Sequence, residues 1–445
     1  MNAPRRPEAL KREPRPEEWL VFGFLGVILL GTLLLAMPAS TKDGRSIGFF
    51  DSLFTATSAV CVTGLVAVDT GTTFSLFGQA VLLVLIQVGG LGFMVFATRV
   101  MVILGRRISI KNRMLIRESM NATSLSNLGG LARLYLLLTL GIEAAGATLL
   151  AIRFIPMYGV RRGSWLAVFH AVSAFCNAGF DLFGHFASLT GFAADPLVLL
   201  TVAALIVLGG LGFSVILEVL RNRQGFKNLS LHTRIVLTFT LALLLAGTGF
   251  YMAVERGRLD TLNAFFQSVT MRTAGFNSYD LSSLTDGSKL FSSLLMMAGA
   301  SPASTGGGMK TTTVALVIRL IFSVVKGDNE VNAARRRIPA DTVRRGLAVV
   351  ALFLTTLTLG TLCLSIIEGG RFSLADILFE CASAMGTVGV SAIGTPNLHP
   401  VSRAALLPMM FLGRVGPLTL AVAIARRQSR ARPVSKYPEE RIMIG

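Results

Sequence analysis

Four short stretches of the chain share one frame: FTATSAVCVTGL (Phe54 to Leu65), FHAVSAFCNAGF (Phe169 to Phe180), FFQSVTMRTAGF (Phe265 to Phe276) and FECASAMGTVGV (Phe379 to Val390). Each sets a Phe ten residues before a Gly, in the pairs Phe54–Gly64, Phe169–Gly179, Phe265–Gly275 and Phe379–Gly389. Each Gly is followed by an apolar residue: Leu65, Phe180, Phe276 or Val390. What these residues offer is main chain rather than side chain. Glycine takes up dihedrals that turn carbonyls to one side at little cost, and a ring of four such carbonyl sets can replace the hydration shell of an alkali cation. Thr387-Val388-Gly389-Val390 differs by one residue from the start of the TVGYG ion-filter loop. The candidate ion ligands are therefore the carbonyls of Val62, Thr63 and Gly64, of Asn177, Ala178 and Gly179, of Thr273, Ala274 and Gly275, and of Thr387, Val388 and Gly389. One Phe-to-Gly match would mean nothing, but four in phase form an internal repeat.

A second stretch, MMAGASPASTGGGMKTTTVALVIRLIFSVV (Met296 to Val325), cannot be one helix, because Gly299, Pro302, Gly306, Gly307 and Gly308 interrupt it. Wholly helical, Lys289 to Val325 would measure about 55 Å against a hydrocarbon layer of roughly 30 Å. A polar loop at membrane depth relieves both problems if it faces water. Gly299, Ala300, Ser301, Pro302, Ala303, Ser304, Thr305, Gly306, Gly307, Gly308 and Lys310 are thus candidates for a gate beneath the third glycine. Arg414, in FLGRVGPLTL (Phe411 to Leu420), is a second cation inside an apolar run, and such residues point to function by default. Structural pairing or snorkelling is the competing account of Lys310 and Arg414. The loop is not a phosphate cradle: Ser304 and Met309 stand where the Walker pattern requires Gly.

The elements that must position these residues follow from composition. The 445-residue chain is 52% hydrophobic and 15% charged, where a soluble protein carries about a quarter charged residues. Trp19 to Met37 holds no charge, and comparable runs recur near 75–98, 134–152, 197–217, 235–254, 312–325, 347–367 and 404–425. The first run is longer than a signal-peptide core of about 7 to 15 residues, so it reads as a retained span. The expected fold is an all-α membrane protein of four helix–pore-loop–helix repeats, with eight transmembrane helices and four pore helices around a pseudo-fourfold pore. Its parts are a tail 1–18, repeats 19–107, 131–223, 229–327 and 338–427, and a tail 428–445. Asp51-Ser52, Ser164, Asp260-Thr261 and Ser373 are expected to cap the pore helices. The C-terminal ends of those helices would then direct partial negative charge at the axis. GGLGF recurs at Gly89 to Phe93 and Gly209 to Phe213, where small residues suit close helix packing.

The net charge of +18 suggests nucleic acid until its distribution is read. Arg5, Arg6, Lys11 and Arg12, then Arg106, Arg107 and Lys111, then Arg221, Arg223 and Lys227, then Arg335 to Arg337, Arg344 and Arg345, and finally Arg426, Arg427 and Arg430 all fall on one side of alternating spans. That is the positive-inside pattern; it places both termini in the cytoplasm and leaves no need for a nucleic-acid partner. Cys61, Cys176, Cys363 and Cys381 form no CxxC pair, and HExxH and GxSxG are absent, so the chain reads as no enzyme.

The four loops, GASPASTGGGMKTTT and FLGRVGPLTL together resemble the Trk/Ktr/HKT superfamily of potassium transporters, and the eight runs resemble its bacterial Ktr-type membrane subunit. The resemblance implies potassium at the filter carbonyls, and uptake that is passive or stimulated by sodium. It also implies a homodimer in the bacterial plasma membrane, among its lipids, and a separate cytoplasmic ring of nucleotide-binding subunits that takes ATP and ADP. Through it the filter glycines are Gly64, Gly179, Gly275 and Gly389, the gate is Gly299 through Lys310, and the inner-helix arginine is Arg414. Serine in place of the first glycine accompanies sodium transport in plant relatives, so Gly64 implies potassium. Ala300 and Ala303 stand where relatives often carry Gly. A proton-coupled Trk-type symporter and a broken-helix transporter of another solute stay open, as does the role of Glu143 and Glu218.

Overall fold

The computed structural model describes residues 16–92, 128–222, 225–328, 330–333 and 336–416. The expected tails, apart from 16–18, lie outside these residues, as do the basic clusters at Arg5, Arg106 and Arg426 and the second half of FLGRVGPLTL. Four passes of helix follow one another. The first holds α1 (Pro16–Leu35), α2 (Phe49–Val60) and α3 (Leu76–Leu91). The second holds α4 (Leu128–Tyr158), α5 (Val160–Phe175), α6 (Pro196–Leu211) and α7 (Phe213–Arg221). The third holds α8 (Leu231–Val254), α9 (Thr261–Thr270), α10 (Asp286–Met297) and α11 (Thr311–Val325). After a small hairpin, β1 (Asn332–Ala333) with β2 (Arg336–Arg337), come α12 (Ala340–Glu368), α13 (Leu374–Gly386) and α14 (Pro400–Val415).

Packing closes the passes into a ring. The helix after each Gly-centred loop lies against the short helix of the next pass: α3 on α5, α6 on α9, α10 on α13, and α14 back on α2. Phe54, Phe169 and Phe379 are fully buried under their short helices, whereas in the third pass Phe266 fills that role and the in-frame Phe265 is half-buried. The outer surfaces of α1, α8 and α12 leave Phe22, Leu33, Leu241, Leu245, Leu359 and Ile366 exposed. An apolar exterior of that extent belongs in lipid.

The structure changes the reading of the apolar runs. Among the described residues, Gly129–Tyr158, Leu231–Val254 and Ala340–Glu368 are each long and apolar enough to cross a membrane. The run at 197–217 is not straight: α6 and α7 meet at 97°. Gly212 makes the bend at φ 93°, a conformation that suits glycine. Helices α3 and α14 likewise end at Gly92 (φ 79°) and Gly416 (φ 92°). The third inner helix was expected to be the broken one; the others stop or turn at glycines too, and GGLGF marks a break as well as close packing.

Candidate functional site

The four loop glycines meet. A methyl group built on Gly64 would lie 2.4 Å from the Ala178 carbonyl oxygen, and one on Gly179 would lie 2.6 Å from Gly275 Cα. One on Gly275 would meet the Val388 oxygen at 2.5 Å, and one on Gly389 the Thr63 oxygen at 1.9 Å. The contacts therefore run 64 to 179 to 275 to 389 and back to 64, with no room for a side chain at any of the four. Gly64, Gly179, Gly275 and Gly389 all have φ between 69° and 94°. Two residues earlier Val62, Asn177, Thr273 and Thr387 also sit at positive φ, between 51° and 69°. For β-branched Val and Thr this is strained backbone, and it occurs at the same position in every pass. The sequence carried no warning of it.

Hydroxyls brace each loop. Ser58 Oγ accepts the Gly64 N–H and Ser383 Oγ accepts the Gly389 N–H, both at 3.0 Å. Ser173 Oγ donates to the Phe180 carbonyl at 2.8 Å, and Thr270 Oγ1 to the Phe276 carbonyl at 2.5 Å. The expected caps hold for two short helices: Asp260 accepts from the Asn263 N–H, and Ser373 from the Asp376 N–H. The other two helices start earlier than expected, at Gly48 and Gly159, so Ser52 and Ser164 lie within them and donate to Gly48 and Val160 carbonyls. All four short helices point their C-terminal ends, with their partial negative charge, at the glycine ring.

The loop 299–310 lies directly beneath. A methyl on Gly306 would strike Thr273 Oγ1 at 2.3 Å, and one on Gly307 would strike Thr387 Oγ1 at 2.2 Å. Thr305 Oγ1 donates to the Phe175 carbonyl at 2.9 Å. The glycine-rich ends of two inner helices hold the loop. Gly209 and Gly210 carbonyls accept from Thr305 and Ser301 N–H, at 3.2 and 3.0 Å, and the Gly413 carbonyl accepts from Gly308 N–H at 3.2 Å. Arg414 then ties loop to frame, donating to the Thr305 carbonyl and to the Gly89 and Gly90 carbonyls of α3. Lys310 Nζ folds back onto the Gly306 carbonyl at 2.9 Å, and Ala303 takes φ 55°. Gly299, Ala300 and Pro302 complete the turn: Ala300 N–H donates to the Gly307 carbonyl, and the Pro302 carbonyl lies against Gly212. Ser304 donates to Ser301 within the loop at 2.6 Å.

Two residues left open are accounted for in part. Glu143 is buried and accepts from Gln87 Nε2 at 3.1 Å, and Glu218 accepts from Ser230 Oγ and Thr233 Oγ1 at the start of α8. On the other face of the glycine ring is an open cavity of about 410 Å³, lined by Asp69, Asp181 and Asp280 as well as the four glycines. Burial, with Asp69 nearby, pushes the Asp181 carboxyl up to about 7.

The family described as TrkH, cation transport protein, has a model that matches residues 19–254 and 229–432. The chain belongs to this family. It is 40% identical to the Ktr system potassium uptake protein B of Bacillus subtilis (strain 168), over 97% of each chain. It is 39% identical to the protein of the same name from Vibrio alginolyticus, over 99% of this chain and 97% of that one. It is 35% identical to the potassium/sodium uptake protein NtpJ of Enterococcus hirae, over 98% of each. The crystal structure of the potassium transporter TrkH from Vibrio parahaemolyticus superposes with a TM-score of 0.71 over 96% of this chain and 88% of that one; at 17% identity this speaks for the fold alone. As a family member with an apolar exterior, the chain is a multi-pass membrane protein of a transport family, and the relatives above are named as transport proteins.

Proposed function

We propose that the chain is the ion-translocating subunit of a potassium uptake system in the bacterial plasma membrane. Four helix–pore-loop–helix repeats, with eight spans in all, would enclose one pore, and both termini would be cytoplasmic. The observation that carries this reading is the closed ring Gly64–Gly179–Gly275–Gly389 with left-handed residues two places before each glycine. Alternating backbone of this kind turns successive carbonyls toward one axis, where they stand in for water around a dehydrated cation. The carbonyls of Val62–Gly64, Asn177–Gly179, Thr273–Gly275 and Thr387–Gly389 are the proposed ligands. Below them Gly299 to Lys310 is the gate, and Arg414 its latch. Passive or sodium-stimulated uptake, assembly as a homodimer and control by a cytoplasmic ring that binds ATP and ADP belong to the same proposal. Two relatives named as parts of a Ktr system support the last point.

A relative named for both potassium and sodium favours a second reading, in which sodium also passes. Rubidium uptake into vesicles holding the purified chain, with sodium or potassium as competitor, tests both. Uptake blocked by potassium and not by sodium supports the first reading; equal competition supports the second; no uptake, with or without a nucleotide-binding partner, refutes both.

A further inference from the structure

In the frame set by the four Phe-to-Gly stretches, the residue after the Phe is Thr55, His170, Phe266 or Glu380. The ring order places the second and fourth glycines across from one another, so His170 and Glu380 occupy facing positions behind the ring. Both side chains are fully buried. Both reach past their own short helix to the segment that follows the glycine. Glu380 accepts from Ser391 Oγ at 2.5 Å and from Thr395 Oγ1 at 2.7 Å. Ser391 Oγ in turn accepts the Gly394 N–H at 2.8 Å, so one carboxylate holds the whole turn from 391 to 395. His170 Nε2 accepts the Leu182 N–H at 3.3 Å, while its Nδ1 lies 2.7 Å from the Leu166 carbonyl. The other diagonal has no such tie at this position: Thr55 Oγ1 donates to Asp51 in its own helix, and Phe266 is apolar.

We infer that Glu380 is a positioning residue for ion selection, fixing the fourth strand of the ring by gripping the turn beyond Gly389 from behind, with His170 doing the same for the second strand. This rests on the proposed uptake function and adds to it a source of rigidity. Val390, Ser391 and Thr395 line the outer cavity directly above Gly389. Motion of that turn therefore moves the Val388 and Gly389 carbonyls. A carboxylate accepts both hydroxyl protons, whereas an amide of the same size accepts at one end and donates at the other. Glu380→Gln thus keeps the volume and reverses one of two hydrogen bonds.

The test compares wild type, Glu380→Gln, Glu380→Asp, Ser391→Ala and Thr395→Val in vesicles, reading rubidium uptake and its inhibition by sodium. The expected result is a potassium-over-sodium preference about three- to tenfold lower in Glu380→Gln, the equivalent of about one net hydrogen bond. Ser391→Ala and Thr395→Val should each give part of that loss, and Glu380→Asp should recover part of it. Should Glu380→Gln fail to fold, the two hydroxyl variants carry the test, since both leave the buried carboxyl group in place. Unchanged preference in folded Glu380→Gln, or in both hydroxyl variants, overturns the inference while leaving potassium uptake by wild type intact. Absence of uptake by wild type refutes the function itself.

Discussion

The guanidinium of Arg414 donates to the carbonyl of Thr305 and, with its other nitrogen, to Gly89 and Gly90. One side chain of the last inner helix thereby joins the loop of the third pass to the end of the first inner helix. Removing it should release the loop. Arg414→Ala is expected to raise rubidium flux several-fold in vesicles, and Arg414→Lys, which has one nitrogen in place of a fork, should give an intermediate value. Flux equal to or below wild type in folded protein would remove the latch from the mechanism.

Deleting Gly306 to Gly308 takes away the part of the loop that touches Thr273 and Thr387. The expected outcome is again higher flux, no longer increased by Arg414→Ala, because the two changes act on one loop. Additive effects of the pair would contradict this.

Substitution at the ring should act on selection and on passage differently. A methyl on Gly389 has 1.9 Å to the Thr63 oxygen, so Gly389→Ala is expected to abolish uptake. Gly64→Ser, whose Cβ would lie 2.4 Å from the Ala178 oxygen, is expected to reduce uptake and, in the uptake that remains, to lower the preference for potassium over sodium, measured by competition. An unchanged preference would show that selection does not depend on the first loop.

Uptake should respond to external pH through Asp181. Its carboxyl, pushed up to about 7 by burial and by Asp69, is neutral below that pH and charged above it. The cavity above the ring therefore gains negative charge as pH rises, which draws cations inward. Uptake is expected to increase between about pH 6 and pH 8, and Asp181→Asn should flatten the curve at its acid level. A variant with the wild-type profile would place the titration elsewhere.

Ser383→Ala leaves the Gly389 N–H without its partner. A buried donor without an acceptor costs about 1–3 kcal/mol, and the half-buried Gly389 N–H less, so thermal unfolding in detergent should begin at a somewhat lower temperature than for the wild type.

Much of this was visible in the residues. The Phe-to-Gly spacing located all four loops because a repeated frame survives the loss of any one residue, and in the third pass Phe266 took over from Phe265 without disturbing it. The interrupted stretch after Met296 was readable because Gly and Pro punctuate helices wherever they fall. What stayed hidden was long-range. Thr387 and Val62 are strand-favouring residues, and nothing local announces that the ring forces them to positive φ. Nor does GGLGF, read alone, tell a packing motif from a bend: the 97° turn at Gly212 depends on the Ala303 carbonyl, which accepts the Phe213 N–H from a distant part of the chain. The grip of Glu380 on Ser391 and Thr395 was equally silent, since an acid in a mostly apolar helix gives no hint of its partners.

The loop of residues 299 to 310 belongs to a single pass, yet it touches Asn177, Thr273 and Thr387 from three different ones. An assembly of four identical subunits would have to carry that loop four times around one axis. Holding the four quarters in one polypeptide leaves them free to differ, so that one can supply an inserted loop that the others seat.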